Sequence, residues 1–466
     1  MNRTLLVTAL LLGGWCTSVA GQPPPVTVCS VSLHLSWPME RVELKDGRQY
    51  EGLIESEDEG WVRLIQIRRT NGKPMHLVIH TIAQSAVARV VRLEDARQRE
   101  ELRQQVDQFI YRAEIEKGRE DAISLGQVAR DGAYFHHYRG KWFTLDSNLE
   151  ESITRRIIVR VDQVFTAFRQ IVAPRTDSQR LLRLVVFGSL PEYQSYLSKR
   201  GITVDSPACF LKDENLVIAG SELARFAALL AEIQAQHDKV LAELEALEKQ
   251  LPNRLAQVAR QLQAVGTPRQ EAARLLRIKR AEFEQEIQAL RARIVVFERQ
   301  NAQTFDRVTR QMFARLYHEA FHAYLENYVY PHQQYDVPRW LDEGLAVMLE
   351  EGLLESGTLR VDAPNRAALE RLKTDLKGPQ PLPLADLLGA DGRAFLAADA
   401  DRRYVYSWGL AYYLTFEKRL LGSPALDRYV GRSAATAAPK ERFEKLVDLP
   451  LGEFERDWRA YILELH

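Results

Sequence analysis

The spacing of apolar and polar residues predicts short β-strands at the start of the chain. Over 26–93, runs such as "RVELKDGRQYEGLIESEDEGWVRLIQIRR" alternate apolar and polar side chains, with turn signals at Asp46-Gly47 and Glu59-Gly60. Such alternation is typical of strands that bury one face. The segments "MHLVIHTI" and "VARVVRL" continue the pattern, so we predict a small β-barrel of about five strands over 21–93, after a Pro-rich joint.

The next two segments have different patterns. Residues 94–133 begin with a highly charged helical stretch, which we interpret as a solvated connector. Within 134–221, "KWFTLDSN" and "RLLRLVVFGS" have strand character, and an amphipathic helical segment follows each of them. Strand, helix, strand and helix in this order predict a small α/β unit.

Apolar residues at intervals of three and four predict a coiled coil over 222–304. The heptad positions are Leu223, Phe226, Leu230, Ile233, His237, Val240, Leu244, Leu247 and Leu251 in the first arm, and Phe283, Ile287, Leu290, Ile294 and Phe297 in the second. The turn "AVGTPRQEA" between the arms predicts an antiparallel hairpin, and Pro252 should kink or interrupt the first arm. Such an arm contacts a protein partner, restricts the substrate, or is a purely structural insertion.

Composition narrows the class of partner. The chain has 466 residues, of which 46% are hydrophobic and 27% charged, as expected of several packed domains. Lys plus Arg and Asp plus Glu are both 63, so the formal net charge is zero. Because this balance gives no bulk attraction to polyanions, we expect no nucleic-acid partner.

The N-terminus has the features of an export signal. Arg3 supplies a positive start, residues 5–15 form an apolar run of signal-peptide length, and Ser18-Val19-Ala20 presents small residues to a signal peptidase. We predict that 1–20 is cleaved near Ala20 and that the protein is periplasmic or secreted. An uncleaved anchor is the alternative, and no later stretch has the length of a transmembrane span.

Two of the three cysteines stay in the predicted mature chain. Cys16 leaves with the signal peptide, whereas Cys29 and Cys209 remain. Outside the cytoplasm these two can form one disulfide. Sequence gives no separation between them, so a disulfide and two separate thiols are both open.

The candidate chemistry lies in 305–466. The segment "RLYHEAFHAYLEN" places His318 and His322 four residues apart, with Glu319 directly after the first. On a helix the two imidazoles are separated by about 6 Å of rise and point to one side, while Glu319 is rotated by roughly 100°. Metal-assisted hydrolysis uses this arrangement, with the carboxylate accepting a proton from water. A buried helix that happens to hold two imidazoles is the alternative.

A catalytic zinc ion needs a third protein ligand and one open position. In "YDVPRWLDEGLAVMLEEG", Glu343 follows His322 by 21 residues, on a helix that Pro338 begins. Gly344 and Ala346 are small and would let this helix approach the histidine helix. Considered without the histidine pair, Glu343 would be interpreted as a solvated carboxylate of a helix. Because the histidine pair precedes it at this spacing, we predict that Glu343 is the third ligand. A closed structural site is disfavoured, because no cysteine lies near the pair.

"HEAFH" followed by "PRWLDEGLA" resembles the gluzincin metallopeptidases, specifically the exported bacterial peptidase-MA-like group. The resemblance implies that His318, His322 and Glu343 bind Zn²⁺ and that Glu319 is the general base. "KWFTLDSN" with its helix, "YVYSWGLAYYL" and "FERDWRAYILEL" look like other parts of that family, so the resemblance covers about 135–220 and 305–465. The hairpin is a departure from it.

Tyr404 corresponds to the tyrosine that donates a hydrogen bond to the oxyanion in that family. Tyr406 is its rival on the same segment, and a core aromatic residue is the alternative for both. We therefore expect a mostly helical α+β protein that acts as an exported zinc metallopeptidase on peptide or protein substrates. The alternative is a peptidase-fold binding or scaffold protein that uses the barrel and the hairpin for protein contacts.

Overall fold

The computed structural model describes residues 30–32, 37–70, 73–130, 132–176, 181–350, 352–355, 358–361, 363–397 and 399–465. The predicted signal peptide and Cys29 lie outside these ranges. Within them, no helix combines the length and the apolar character that a membrane crossing requires. The described structure is α+β and mostly helical, which confirms the predicted fold class.

The N-terminal strands form an antiparallel sheet. After β1 (Ser30–Ser32), which belongs to another sheet, its strands are β2 Glu40–Leu44, β3 Gln49–Glu57, β4 Trp61–Arg68, β5 His76–Ala83 and β6 Val87–Val91. Strands β2 to β6 pair in the order β5-β4-β3-β2-β6, with a 3₁₀ turn at Gln84–Ala86. Among the described strands no pairing joins β5 to β6. The sheet is therefore open, and the prediction of a closed barrel is wrong.

A helix covers the sheet where closure of a barrel was expected. The connector contains α1 (Ala96–Ile110) and α2 (Arg112–Asp121). Leu102, Val106 and Phe109 of α1 are buried against Leu53 and Ile65 of the sheet. This cover removes apolar sheet surface from water without joining the edge strands. The charged segment is therefore more than a solvated connector.

A six-stranded mixed sheet follows. Its elements are β7 Gly126–Arg130, β8 Ala133–Arg139, β9 Phe143–Ser147, α3 Glu151–Ile171, β10 Leu182–Phe187, α4 Leu190–Ser198, β11 Ala208–Leu211 and β12 Leu216–Gly220. The strand order is β11-β12-β10-β9-β8-β7, with β9, β10 and β12 parallel. Strand β11 is antiparallel to β12 and forms one edge. The α/β unit predicted from the sequence is thus part of a larger sheet of six strands.

Two long helices form the predicted hairpin. They are α5 (Leu223–Ala264) and α6 (Arg269–Tyr324), and a π turn at Leu325–Val329 follows α6. Helix α6 has 56 residues, about 84 Å, so the second arm and the histidine segment are one helix. Helix α5 continues through Pro252, which excludes an interruption there and leaves a kink as the prediction. The helix tolerates one lost backbone hydrogen bond because it packs along α6.

Helices dominate the C-terminal part. Its elements are α7 Arg339–Glu350, β13 Leu353–Glu355, β14 Thr358–Arg360, α8 Arg366–Leu376, α9 Leu384–Gly389, α10 Gly392–Leu396, α11 Ala400–Phe416, α12 Pro424–Val430, α13 Pro439–Val447 and α14 Leu451–Glu464. Strand β14 pairs with β13 and, in parallel, with β1. One apolar core joins α3 and the end of α6 to α7 and α11, and this core fixes the candidate site.

Gly344 has a different neighbour from the one predicted. A Cβ added at Gly344 would lie 2.3 Å from the backbone oxygen of Ser407 and 2.9 Å from the Ala411 Cβ. Both residues belong to α11. The small residue therefore allows α7 to approach α11, and the prediction that it serves the contact with the histidine helix is wrong.

Candidate metal centre

Three predicted ligands converge where the end of α6 meets α7. The Nε2 atoms of His318 and His322 are 3.1 Å apart, and Oε2 of Glu343 lies 3.2 Å and 3.6 Å from them. His318 is 7% exposed and Glu343 is 1% exposed. In the described part of the chain, these residues form a group that could hold a metal ion. The helix geometry predicted from the sequence thus places all three donor atoms together.

The donor set fits a divalent transition metal. Two imidazole nitrogens and one carboxylate oxygen are ligands that zinc accepts, and Zn–N distances of about 2.0–2.1 Å place tetrahedral ligands about 3.3–3.4 Å apart. The separations of 3.1–3.6 Å between Nε2 and Oε2 atoms lie around this value. Three protein ligands also leave one coordination position for water or substrate.

Each imidazole is hydrogen-bonded to a carboxylate on the side that points away from the metal position. The Nδ1 atom of His318 is 2.8 Å from Oε2 of Glu350, and the Nδ1 atom of His322 is 2.7 Å from Oδ1 of Asp342. With a metal ion bound, a proton on each Nδ1 atom would donate to these carboxylates and the Nε2 lone pair would be left for the metal. The Nδ1 edge of each imidazole ring, which points away from the metal position, is thus fixed by a hydrogen bond to a carboxylate.

The charged residues of the site shift one another's pKa values. Burial raises the pKa of Glu343, but hydrogen bonds from His318 and His322 and the charge of Arg339 outweigh it and hold the pKa well below its usual range. Burial lowers the pKa of His322, while Asp342 and Glu343 raise it well above its usual value. The Nη2 atom of Arg339 contacts Oε1 of Glu343 at 2.5 Å. Glu343 is therefore ionised, and its Oε2 atom faces the imidazoles.

A cavity of about 1310 Å³ opens onto these residues and is also lined by Glu319. Burial raises the pKa of Glu319, and the nearby histidines oppose this rise. The backbone of Phe210 on β11 lies near the same carboxylate and also opposes the rise in its pKa. Glu319 is thus positioned beside the ligands and faces the space that a substrate would enter.

The two candidate tyrosines have different environments. Tyr404 lines the cavity together with Arg339, which in turn contacts Glu343. Tyr406 is fully buried; its hydroxyl donates to Asp375 and accepts a hydrogen bond from the Leu382 amide at 3.1 Å. Tyr404 therefore faces the cavity, whereas Tyr406 connects α11 to α8 and to the segment that follows it.

Three supporting residues were not predicted from the sequence: Arg339, Asp342 and Glu350. The sequence spacing of two of them could have predicted their position. Arg339 precedes Glu343 by one turn of α7, and Glu350 follows it by two turns. A ligand on a helix brings its neighbours at i−4 and i+7 to the same side. Asp342 has no such signal, since it adjoins Glu343 and reaches His322 from a rotated position.

Comparison with known proteins identifies one matching family model. The family described as "Protein of unknown function (DUF1570)" matches residues 312–426, which include all three ligands, Glu319 and both tyrosines. A search of curated proteins finds no match. The family description states no activity, so the resemblance to gluzincin peptidases stays a prediction.

Proposed function

We propose that the protein is an exported, zinc-dependent metallopeptidase of gluzincin type that hydrolyses peptide bonds. One observation carries the proposal: the His318, His322 and Glu343 donor atoms converge at a cavity that Glu319 and Tyr404 also line. A purely structural metal site would not need a neighbouring carboxylate or a cavity of this size. The proposed export depends on the signal peptide predicted over 1–20.

Each residue has a role in this proposal. A bound zinc ion would supply Lewis acidity, which lowers the pKa of water and polarises a carbonyl group. Glu319 accepts a proton from the attacking water and later passes it to the leaving amine. Tyr404 donates a hydrogen bond to the oxyanion.

The free edge of β11 supports a peptide as the substrate. Among the described strands β11 pairs only with β12, and Ala208, Cys209 and Phe210 of β11 line the cavity. An unpaired strand edge can hydrogen-bond an extended peptide along its main chain. Such a peptide would pass Glu319, which lines the same cavity as Phe210.

The test compares Glu319→Gln with Glu326→Gln. Both glutamates line the cavity, but Glu326 binds Lys212 at 2.7 Å and His332 at 2.5 Å. Glu319→Gln should retain zinc and lose cleavage of a broad peptide library, because an amide cannot accept the proton. Glu326→Gln should retain both. Full peptidase activity of Glu319→Gln would exclude the proposed base.

A binding or scaffold protein is the second candidate function. The exposed apolar side chains of the hairpin favour it, since such surfaces are typical of protein contacts. Zinc binding does not separate the two functions, because an inactive relative can retain a metal. Cleavage of the peptide library by the unaltered protein does: turnover that a chelator abolishes supports the peptidase, and the complete absence of turnover supports the scaffold.

A further inference from the structure

Exposed apolar side chains are concentrated on the hairpin. Sixteen large apolar side chains are exposed in the described part of the chain, and nine of them lie on α5, α6 or the turn between them. These nine are Leu229, Val240, Val265, Leu275, Ile278, Leu290, Val295, Val296 and Phe297. Val240, Leu290 and Phe297 were predicted as seam residues, but the structure leaves them 39%, 41% and 56% exposed.

Two of the exposed residues flank the seam on the same side of the hairpin. On α6, Leu290 and Arg291 follow the buried Ile287 by three and four residues, so they lie on opposite flanks of the seam. Phe297 lies two turns beyond Leu290, on the same flank. Arg291 crosses to Glu248 of α5 at 2.7 Å, which marks the polar flank of the hairpin.

The same reasoning places Val240 opposite that ion pair. On α5, Val240 and Glu248 lie four residues before and four after the buried Leu244, on opposite sides of it. Since Glu248 belongs to the polar flank, Val240 lies on the other flank, together with Leu290 and Phe297. We call these three residues the apolar flank. One flank of the hairpin thus has an ion pair between the two helices, and the other flank exposes apolar side chains to solvent.

Charge is also divided along the hairpin. We call 250–281 the tip, and 222–249 with 282–304 the stem. The tip has seven cationic residues (Arg254, Arg260, Arg269, Arg274, Arg277, Lys279 and Arg280) and a single acidic one, Glu271. The stem has ten acidic and six cationic residues. The hairpin therefore has a basic end and an acidic end within a chain of zero net charge.

From these features we infer that the hairpin is a dimerisation surface, on which two copies of this chain pack their apolar flanks together in antiparallel orientation. Two-fold symmetry brings the same apolar flank to both sides of the contact. The antiparallel orientation places the basic tip of each copy beside the acidic stem of the other, whereas a parallel pair would bring two basic tips together.

The available surface is large enough for a stable contact. Helix α5 has 42 residues, about 63 Å, and two adjacent helices about 10 Å wide present a face on the order of 1,000 Å². Stable interfaces bury about 800 Å² on each partner. A four-helix arrangement of two hairpins would also cover Leu290 and Phe297, which a single hairpin leaves in water.

Sedimentation velocity of the full chain over the micromolar range tests this inference. The unaltered protein should form a dimer that weakens as salt is added, because salt screens the pairing of tip and stem. The double variant Leu290→Glu/Phe297→Glu should lose the dimer while keeping its helical circular dichroism. Val295→Glu is the matched control, since this exposed residue follows Arg291 by one turn on the polar flank and should leave the dimer intact.

Cross-linking tests the orientation. A mixture of isotope-labelled and unlabelled chains should give intermolecular links between Lys239 of the stem and Lys279 of the tip. Links from Lys279 to Lys279 would contradict the antiparallel arrangement. A chain that stays monomeric over the whole concentration range would overturn the inference, including the case in which its basic tip binds phosphatidylglycerol vesicles instead. The result does not depend on peptidase activity.

Discussion

The Nδ1 atom of His318 lies 2.8 Å from Oε2 of Glu350, two turns beyond Glu343 on α7. One helix therefore supplies both a predicted ligand and the group that orients another ligand. We predict that Glu350→Ala lowers zinc affinity by about 10–100-fold, because the His318 ring loses its fixed tautomer and orientation. Competition with a chromophoric chelator measures this affinity.

The control for Glu350 is the exposed Glu417, which directly follows α11. Glu417→Ala should bind zinc as the unaltered protein does. If both variants bound zinc equally well, the carboxylate behind His318 would have no role in the metal site.

The second prediction separates the two tyrosines of α11. Tyr404→Phe should lower kcat by about 10²–10³-fold with little change in KM or in thermal stability, because it removes the proposed donor to the oxyanion. Tyr406→Phe should lower the melting temperature and leave kcat of the folded enzyme nearly unchanged, since its hydroxyl binds Asp375 and Leu382. Peptide kinetics together with calorimetry distinguish the two; the reverse pattern would exchange the assignments.

The histidine pair of the predicted ligand group could be predicted from the sequence because helix geometry alone brings the two imidazoles together. His318 and His322 are one turn apart on any α-helix, so their convergence needs no knowledge of the fold. Glu343 required one further assumption, that the segment after Pro338 returns to the histidine helix. The carboxylates of Asp342 and Glu350 approach the imidazoles only through the packing of α7, which the spacing of apolar residues does not specify.

The fold, like the site, was predictable from the sequence only in part. Alternation located strands β2 to β6, but closure of a sheet depends on the relative position of its edges, which are far apart in sequence. Heptad spacing located both arms of the hairpin. It did not determine which apolar positions are buried in the seam, because Leu290 and Phe297 fit the repeat and yet are 41% and 56% exposed.

The third prediction concerns the contact between α7 and α11. Gly344→Ala should reduce the free energy of unfolding by about 1–3 kcal/mol, because the new Cβ would overlap the backbone oxygen of Ser407. The same displacement should weaken metal binding through Glu343. Gly392→Ala is the control, since a Cβ there meets nothing within 4 Å. Equal unfolding free energies in denaturant for both variants would contradict the close approach.

The fourth prediction concerns the attachment of the N-terminal sheet. The buried Arg360 donates to the carbonyl oxygens of Thr70 at 3.1 Å and Lys73 at 3.0 Å, and pairs with Glu355 at 2.8 Å. Glu355 in turn accepts a hydrogen bond from the Met75 amide at 2.6 Å. These contacts join the loop before β5 to the β13–β14 hairpin.

Arg360→Met should therefore reduce the free energy of unfolding by about 3–5 kcal/mol, because it leaves a buried carboxylate without its cation. Hydrogen exchange at the Met75 amide should become faster as the sheet loosens. Arg63→Met removes an exposed ion pair with Glu55 and should cost only about 0–1 kcal/mol. Unchanged exchange at Met75 in the Arg360 variant would show that the sheet is held by other contacts.

The last prediction is a pH dependence at Asp375. Burial raises the pKa of this carboxyl, but hydrogen bonds from Arg402 at 2.7 Å and from Tyr406 outweigh it, so the folded-state pKa lies below the usual 3.8. A depressed pKa stabilises the fold fully above the unfolded-state value, and the stabilisation is lost as pH falls through the folded-state value. Asp375→Asn should therefore lower the unfolding free energy at neutral pH and flatten its acid dependence, measured by urea unfolding. Asp386→Asn, at an exposed position, is the control, and a variant at position 375 with an undiminished acid slope would contradict the assignment.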